Sequence, residues 1–345
     1  MSERPLPGRA AFVCTASPSL ALLKYWGKTA GGRNLPATPS LALSLGNLRT
    51  TTTVEASFDG ADEVRVGGER QPEARYSDFF DAVRRALRAE LRFKAASRND
   101  FPTASGLASS SSGFAALAFA CARAGEAVLE GKKGLSPAEI SSLARIGSVS
   151  AARAVFGGFS LLPAGATEAK PLYGEEHWPD LRVLVALVSL EEKAVSSREG
   201  MERSRSTSVF YPSWVENAGA ELEKAVEAVA RRDLEAVGAA MRRSYLRMFG
   251  TMLACDPPLI YWLPGSLALI RECEAMRREG IGVWETMDAG PQVKMLCLAA
   301  DAPRIADRVR STKAAASVIE SRIGGAPEIR AASGGAVERA WSLGR

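Results

Sequence analysis

Four stretches of the chain gather residue types that could do chemistry. Residues 22–28, LLKYWGK, set Lys24 and Lys28 beside Tyr25 and Trp26. Residues 145–159, RIGSVSAARAVFGGF, offer Ser148, Ser150 and Arg153 near a glycine pair. Residues 286–295, TMDAGPQVKM, place one acid, Asp288, at the mouth of a Gly-Pro turn. Residues 101–117, FPTASGLASSSSGFAAL, carry four consecutive serines, Ser109 to Ser112, between a Pro/Gly-containing turn and an apolar run. A helix N-terminus presents unpaired N–H groups at the positive end of a dipole. Small residues ahead of it let the backbone approach a phosphate, and hydroxyls add donors. Gly106 and the serines therefore read as a phosphate cradle or, equally, as a cap that packs a helix tightly. The stretch is not a Walker loop, because no Gly-Lys-Ser/Thr follows.

Other chemistries are pruned by what the chain lacks. His177 is the only histidine, so His-rich metal sites and Ser-His-Asp triads elsewhere are excluded. Acid–base work falls instead to carboxylates, lysines or groups of the substrate. The five cysteines, Cys14, Cys121, Cys255, Cys273 and Cys297, form no CxxC pair. That argues against zinc and against a disulfide framework, and fits reduced thiols in a cytoplasm. No signal-peptide pattern opens the sequence, and no run of ~18 apolar residues suggests a membrane span. The net charge of +5 is spread along the chain without a Lys/Arg block. It suits an anionic small substrate better than nucleic acid.

These residues need elements to hold them. The chain has 345 residues, more than one core usually serves, so two domains are expected. A hydrophobic share of 46% with 24% charged residues is that of an ordinary globular protein, mixed α and β. Residues 49–58 and 62–68 read as the two strands of one hairpin. Residues 76–91 have helical spacing, with Phe79, Val83, Leu87 and Leu91 on one face. Residues 112–129 are small and apolar enough for a buried helix. Ser136 with Glu139 forms a capping box ahead of another helix. Residues 180–190 read as a continuous apolar strand. A polar, Pro/Gly-containing segment precedes that strand, so the boundary is expected there, dividing the chain into 1–178 and 179–345. Residues 221–249 and 266–280 are helical patterns, and 284–299 reads as strand, turn, then strand or helix.

In combination the four stretches resemble the mevalonate diphosphate decarboxylases of the GHMP kinase superfamily. The order KYWGK, NDFPTASGLASSSSGFAAL, GSVSAARAVFGGF and MDAGPQV follows that family's order of motifs. VSSREGM, residues 195–201, is similar to a further family segment. The serine stretch alone points only to the superfamily; the first and last motifs together are more specific. The resemblance implies an α+β fold with two domains. The N-terminal one would be the β/α domain of ribosomal S5 domain 2 type that binds ATP, and the C-terminal one a ferredoxin-like α/β sandwich, with the active site in the cleft between them.

The resemblance also implies a reaction. ATP, accompanied by Mg2+, would phosphorylate the C3 hydroxyl of mevalonate 5-diphosphate. Loss of that phosphate with CO2 would leave isopentenyl diphosphate. Asp288 would orient the hydroxyl and accept its proton, Lys24 would keep Asp288 ionised, and Arg153 would clamp the C1 carboxylate. Tyr25, Lys28, Ser148, Ser150 and Arg198 would hold the 5-diphosphate. Gly106, Ser109, Ser110 and Ser197 would face the ATP phosphates, and no dedicated protein ligands for the metal are implied. Ser111 and Ser112 read as packing and Trp26 as core. A homodimer in the cytoplasm would fit the family. The chain departs from the family pattern at Ser19, Thr29-Ala30, Thr38-Pro39-Ser40, Gln292 and Met248. The first three departures lie around the expected substrate pocket and bear on which phosphate state is preferred. The rival readings are a mevalonate 5-phosphate decarboxylase, a small-molecule kinase that stops at the phosphorylated product, and a non-catalytic binder on the same scaffold.

Overall fold

A computed structural model describes residues 8–31, 34–102, 109–130, 134–191, 193–333 and 335–342. The N-terminal half runs β1 (Arg9–Ala16), β2 (Ser19–Ala21), β3 (Ser40–Ser44), β4 (Thr50–Ser57), β5 (Glu63–Val66) and β6 (Glu69–Arg70). It continues with α1 (Ser77–Leu87), β7 (Arg92–Asn99), α2 (Ser109–Val128), α3 (Pro137–Gly147), α4 (Ala151–Ala154), β8 (Phe159–Leu162) and β9 (Lys170–Tyr173). The C-terminal half runs β10 (Leu181–Leu187), α5 (Ser197–Thr207), α6 (Tyr211–Asn217), α7 (Leu222–Arg231), α8 (Leu234–Leu253) and α9 (Pro264–Arg278). It ends with β11 (Val283–Met287), β12 (Val293–Leu298), α10 (Ala302–Ser311), β13 (Ser317–Ser321), β14 (Glu328–Ala332) and α11 (Ala336–Ser342). The fold is α+β, as expected.

The first sheet has the order β14-β1-β4-β7-β5-β6. One of its faces carries Cys14, Val54, Ala56, Phe93 and Ala95, which pack on α2. That helix is buried almost all round, which is why its sequence is alanine and serine rather than an amphipathic stripe. Small side chains let it lie close to the sheet while α3 and α4 cover its other side. The Ser136–Glu139 capping box that starts α3 is present. The expected hairpin of 49–58 with 62–68 does not form. β4 is buried nearly end to end, so both of its edges need partners, and the eight-residue strands β1 and β7 supply them in full register. The four-residue β5 instead pairs parallel to β7. Helix α1 also stops earlier than its periodicity suggests, at Leu87, where Arg88 turns left-handed with φ 52°.

The second sheet, β11-β12-β10-β13, is antiparallel throughout. Its first strand in sequence is β10, which lies between β13 and β12, with β11 outermost. That is the order of a ferredoxin-like sandwich. The stretch 284–299 resolves as strand, turn, strand. The expected boundary at residue 178 falls just ahead of β10. The chain then returns: β14 pairs with β1, so the first sheet is completed by residues from the far end of the sequence.

A third sheet, β2-β3-β8-β9, joins the halves. Leu20, Leu22, Leu41, Leu43 and Phe159 share one apolar cluster with Val183 and Val185 of β10 and with Val229 and Met241 of the helices. The loop after β2 is tied to both halves. Lys24 N–H donates to Ser244 Oγ on α8 at 2.8 Å, and Trp26 N–H to Thr38 Oγ1 at 3.2 Å. The Trp26 indole sits in the C-terminal core, donates to Ser204 Oγ at 2.8 Å, and its carbonyl accepts from the Trp214 indole at 2.8 Å. Trp26 is thus core, as its sequence context suggests, and it anchors the segment bearing Lys24 and Lys28. His177 is structural, its Nε2 2.8 Å from Val229 O and its ring stacked on Tyr173. Trp26→Ala is expected to cost about 3–5 kcal/mol in urea unfolding; a loss below 1 kcal/mol would contradict this anchoring role.

Candidate active site

Strands β11 and β12 are joined by a tight turn, and Asp288 is the first residue past β11. Its side chain, 29% exposed, faces the junction of the halves and meets two buried ammonium groups. Lys24 Nζ lies 2.7 Å from Asp288 Oδ1, and Lys294 Nζ 3.0 Å from Oδ2. Lys24 also donates to Ala21 O at 2.9 Å. Lys193 Nζ donates to Ala289 O at 2.8 Å, next in sequence to Asp288, and to Ser197 Oγ at 2.7 Å. Arg153, 2% exposed, reaches the same centre from α4 and donates through Nη1 to Ser40 Oγ.

Burial and charge pull against each other here. Burial disfavours ionised Asp288, but Lys24 and Lys294 outweigh it and hold the carboxyl far below the usual range. Burial pulls Lys24 down to about 8 against the attraction of Asp288. It does the same to Lys193, to about 8, and takes Arg153 down to about 10. One carboxylate thus faces four cationic side chains, three of them buried and Lys193 half-buried. Such an excess is costly unless an anion completes it. Three buried polar atoms around this centre have no hydrogen-bond partner among the described residues: Arg153 Nε, Tyr25 Oη and Tyr211 Oη. Buried polar groups are nearly always satisfied, so these atoms mark where a ligand's polar groups belong.

Lys28 and Arg198 extend the basic surface outward. Burial, with Arg198 adding repulsion, takes Lys28 down to about 8. Gly27 lies between Tyr25 and Lys28 with φ 106°, and a Cβ there would lie 2.1 Å from Tyr211 Oη. Only glycine lets the loop turn this close to α6.

The serines divide by role. Ser110 Oγ lies 3.4 Å from Ser148 Oγ, which lies 3.1 Å from Ser150 Oγ. The start of α2 and the α3–α4 connection therefore meet through hydroxyls. Ser110 is exposed and Ser109 half-buried. Ser111 and Ser112 are packing, as their context suggests: Ser111 Oγ is 3.1 Å from Ser19 Oγ, and Ser112 Oγ is 2.6 Å from Thr50 Oγ1. Gly106 lies outside the described residues. Ser197 is held to Lys193 beside Asp288, and no described contact joins it to the serines of α2.

Five of the departing residues do structural work. Ser19 donates to Ser150 O at 3.3 Å, Thr38 fixes Trp26, and Ser40 receives Arg153. Gln292 accepts from Val188 N–H at 2.6 Å, bracing the turn that carries Asp288. Met248 is core.

Sequence reading missed Lys294 and Lys193. Lys294 had a signal, being the one charged residue in the otherwise apolar strand Val293–Leu298. A buried lysine in such a strand calls for a partner. Lys193 had none, since EEKAVSS reads as a solvated charge run.

The comparisons follow the same lines. A family model described as the diphosphomevalonate decarboxylase-like N-terminal domain matches residues 16–172, and one for the mevalonate 5-diphosphate decarboxylase C-terminal domain matches residues 183–340. A diphosphomevalonate decarboxylase of Aspergillus fumigatus is 32% identical over 325 residues, 86% of this chain and 79% of the relative. The mevalonate diphosphate decarboxylase structure from Staphylococcus aureus superposes with a TM-score of 0.85 at 31% identity, over 93% of this chain and 98% of that one. The structure of MDDEF in complex with MVAPP, AMPPCP and magnesium superposes with a TM-score of 0.84 at 35% identity, over 94% and 100%.

Removing the Lys294 charge leaves burial opposed by Lys24 alone, so Lys294→Met is expected to raise the Asp288 pKa and move the acid limb of kcat/KM upward. An unmoved limb would refute the pairing. Lys24, Lys28 and Lys193 lose their protons as pH rises through about 8, and with them the attraction for anions. The affinity for inorganic diphosphate should therefore fall above about pH 8, less steeply in Lys28→Arg; constant affinity up to pH ~9.5 is the contrary result.

Proposed function

The chain belongs to the diphosphomevalonate decarboxylase family, and from that premise we propose how its residues carry out ATP-dependent decarboxylation of mevalonate 5-diphosphate to isopentenyl diphosphate, ADP, phosphate and CO2. The observation that carries the proposal is the cluster of buried Lys24, Lys294 and Arg153 and half-buried Lys193 around the single carboxylate of Asp288. A substrate with a diphosphate and a carboxylate, met by the triphosphate of ATP, supplies the missing negative charge.

In this reading Asp288 accepts a hydrogen bond from the C3 hydroxyl and points its oxygen at the ATP γ-phosphorus. Its depressed pKa supports an orienting role first. A weakly basic carboxylate takes the proton only once phosphoryl transfer has made the hydroxyl oxygen strongly acidic. Lys24 and Lys294 fix the carboxylate through one oxygen each, which holds it in a single orientation. Arg153 grips the C1 carboxylate, its unpartnered Nε and planar fork suiting two oxygens at once. A carboxylate held beside the C3–O bond is aligned to leave as CO2 when the phosphate departs. Tyr25, Lys28, Arg198, Ser148 and Ser150 take the 5-diphosphate. Ser109, Ser110, Ser197 and Lys193 take the ATP phosphates, with Gly106.

Among the described residues no three His, Cys, Asp or Glu side chains converge on a metal-sized site. The donor set fits Mg2+ carried on the nucleotide phosphates, where it would neutralise charge on the transferring group. Five free, buried cysteines support a cytoplasmic setting, and among the described residues no helix is long and apolar enough to cross a membrane.

The test quantifies ADP and CO2 together, with Mg-ATP and either mevalonate 5-diphosphate or the 5-monophosphate. Equal ADP and CO2 from the diphosphate, and little from the monophosphate, is the expected result. ADP without CO2 would mean a kinase. Asp288→Asn should keep substrate affinity within a few-fold and lower kcat by about 10²–10⁴; an unchanged kcat would remove Asp288 from the mechanism.

A further inference from the structure

The first sheet has a second face, turned away from α2, and the strand register fixes what it displays. Arg330 on β14 is in register with Val13, Val13 with Thr53, Thr53 with Ala96, and Ala96 with Arg65 on β5. Residues in register share a face. This row therefore begins and ends in arginine, across a floor of small side chains. Four strand spacings separate the two arginines, roughly 19 Å between backbones. The next row adds Arg98, in register with Thr51.

Helix α11 lies over this face. Trp341 donates from its indole N–H to Ala95 O at 3.1 Å, and the Arg65 guanidinium stacks 4.4 Å above its ring. Arg339 is held toward the floor by a 2.6 Å bond to Ser333 Oγ. Between helix and sheet a cavity of about 360 Å³ remains. Among the described residues Arg65, Arg98, Arg330 and Arg339 all line it, with the Thr51 and Thr53 hydroxyls, and no carboxylate does. Arg65 is neutralised by Glu63 at 2.9 Å. Arg98 and Arg330 make no ion pair with a described residue.

The contrast with the larger cavity is informative. That one, about 610 Å³ beside α1, is lined by four acids and three arginines, and its Arg84 is already bound to Asp62 and Asp81. Its acids outnumber its arginines, so it holds no unmatched positive charge. The α11 cavity does.

We propose that the cavity between α11 and the outer face of the first sheet is a second anion site, which takes a small diphosphate-bearing molecule. Guanidinium forks around the cavity match phosphoryl oxygens, and the threonine hydroxyls add donors. The alanine side chains of β14 and α11 leave room for a short apolar group beside the phosphates. A second copy of this chain is a poor occupant, because a two-fold contact would set arginines against arginines. The site is separate from the cluster around Asp288 and does not depend on the activity assigned to it.

The test counts binding sites by equilibrium dialysis at low ionic strength, with inorganic diphosphate and isopentenyl diphosphate as probes. Two sites per chain are expected. R98Q/R330Q should weaken one of them at least tenfold, leave the other, and keep the wild-type kcat and KM. Lys28→Gln should weaken the other one only. Tighter binding of isopentenyl diphosphate than of inorganic diphosphate at the R98Q/R330Q-sensitive site assigns part of the affinity to the apolar wall; equal binding assigns it to the phosphates alone. A single site insensitive to R98Q/R330Q overturns the proposal. So does an equal loss in K224Q/R271Q, which removes two exposed charges from the other half. Because binding is read without turnover, an inactive preparation would leave this result standing.

Discussion

Everything at the centre of the molecule is arranged around one ion-paired carboxylate. Asp288 comes from the second sheet, and its two lysines come from different places: Lys294 from the adjoining strand, Lys24 from the loop after β2 in the other half. The pair to Lys294 is local, set by a tight turn in one antiparallel ribbon. The pair to Lys24 spans 264 residues of sequence and exists only if the halves meet correctly. An ion pair stripped of water contributes little net stability by itself. The position of Lys24 must therefore be enforced by something else.

That enforcement is apolar. The third sheet shares one core with β10 and the helices behind it, and Trp26 is sunk in the other C-terminal core. These contacts fix the lysine loop to both halves at once. The junction resembles the interior of a single domain more than a sliding interface. The stability gained there offsets the cost of holding four cations and one carboxylate in partial isolation. The cluster is then preorganised before any ligand arrives, which is the condition under which fixed charges contribute most to catalysis.

Much of this was legible in the residues. Asp288, Lys24 and Arg153 stand in short stretches whose composition is hard to explain as surface or core. The hydroxyls of 109–112 sort themselves by helical position, two outward and two inward. Legibility failed where a residue's meaning depends on a distant partner. Lys193 looks solvated until α5 and the Asp288 turn close on it. The β4–β5 hairpin looks inevitable until burial of both edges of β4 demands two longer partners. The return of β14 to the first sheet, which creates the arginine row with Arg65, leaves no local trace at all. Periodicity reports which face of an element is buried, but not which element it is buried against.

The most direct test of the central claim is a ¹³C NMR titration of the Asp288 side-chain carboxyl, assigned by comparison with Asp288→Asn. An ordinary aspartate is about half protonated near pH 3.9. With Lys24 and Lys294 each bound to one oxygen, the Asp288 signal should stay at its ionised position from pH 8 down to pH 4. A midpoint at or above pH 4 would contradict the account, because burial would then outweigh the two lysines and the carboxyl would not be the fixed anion on which the rest of the site is built.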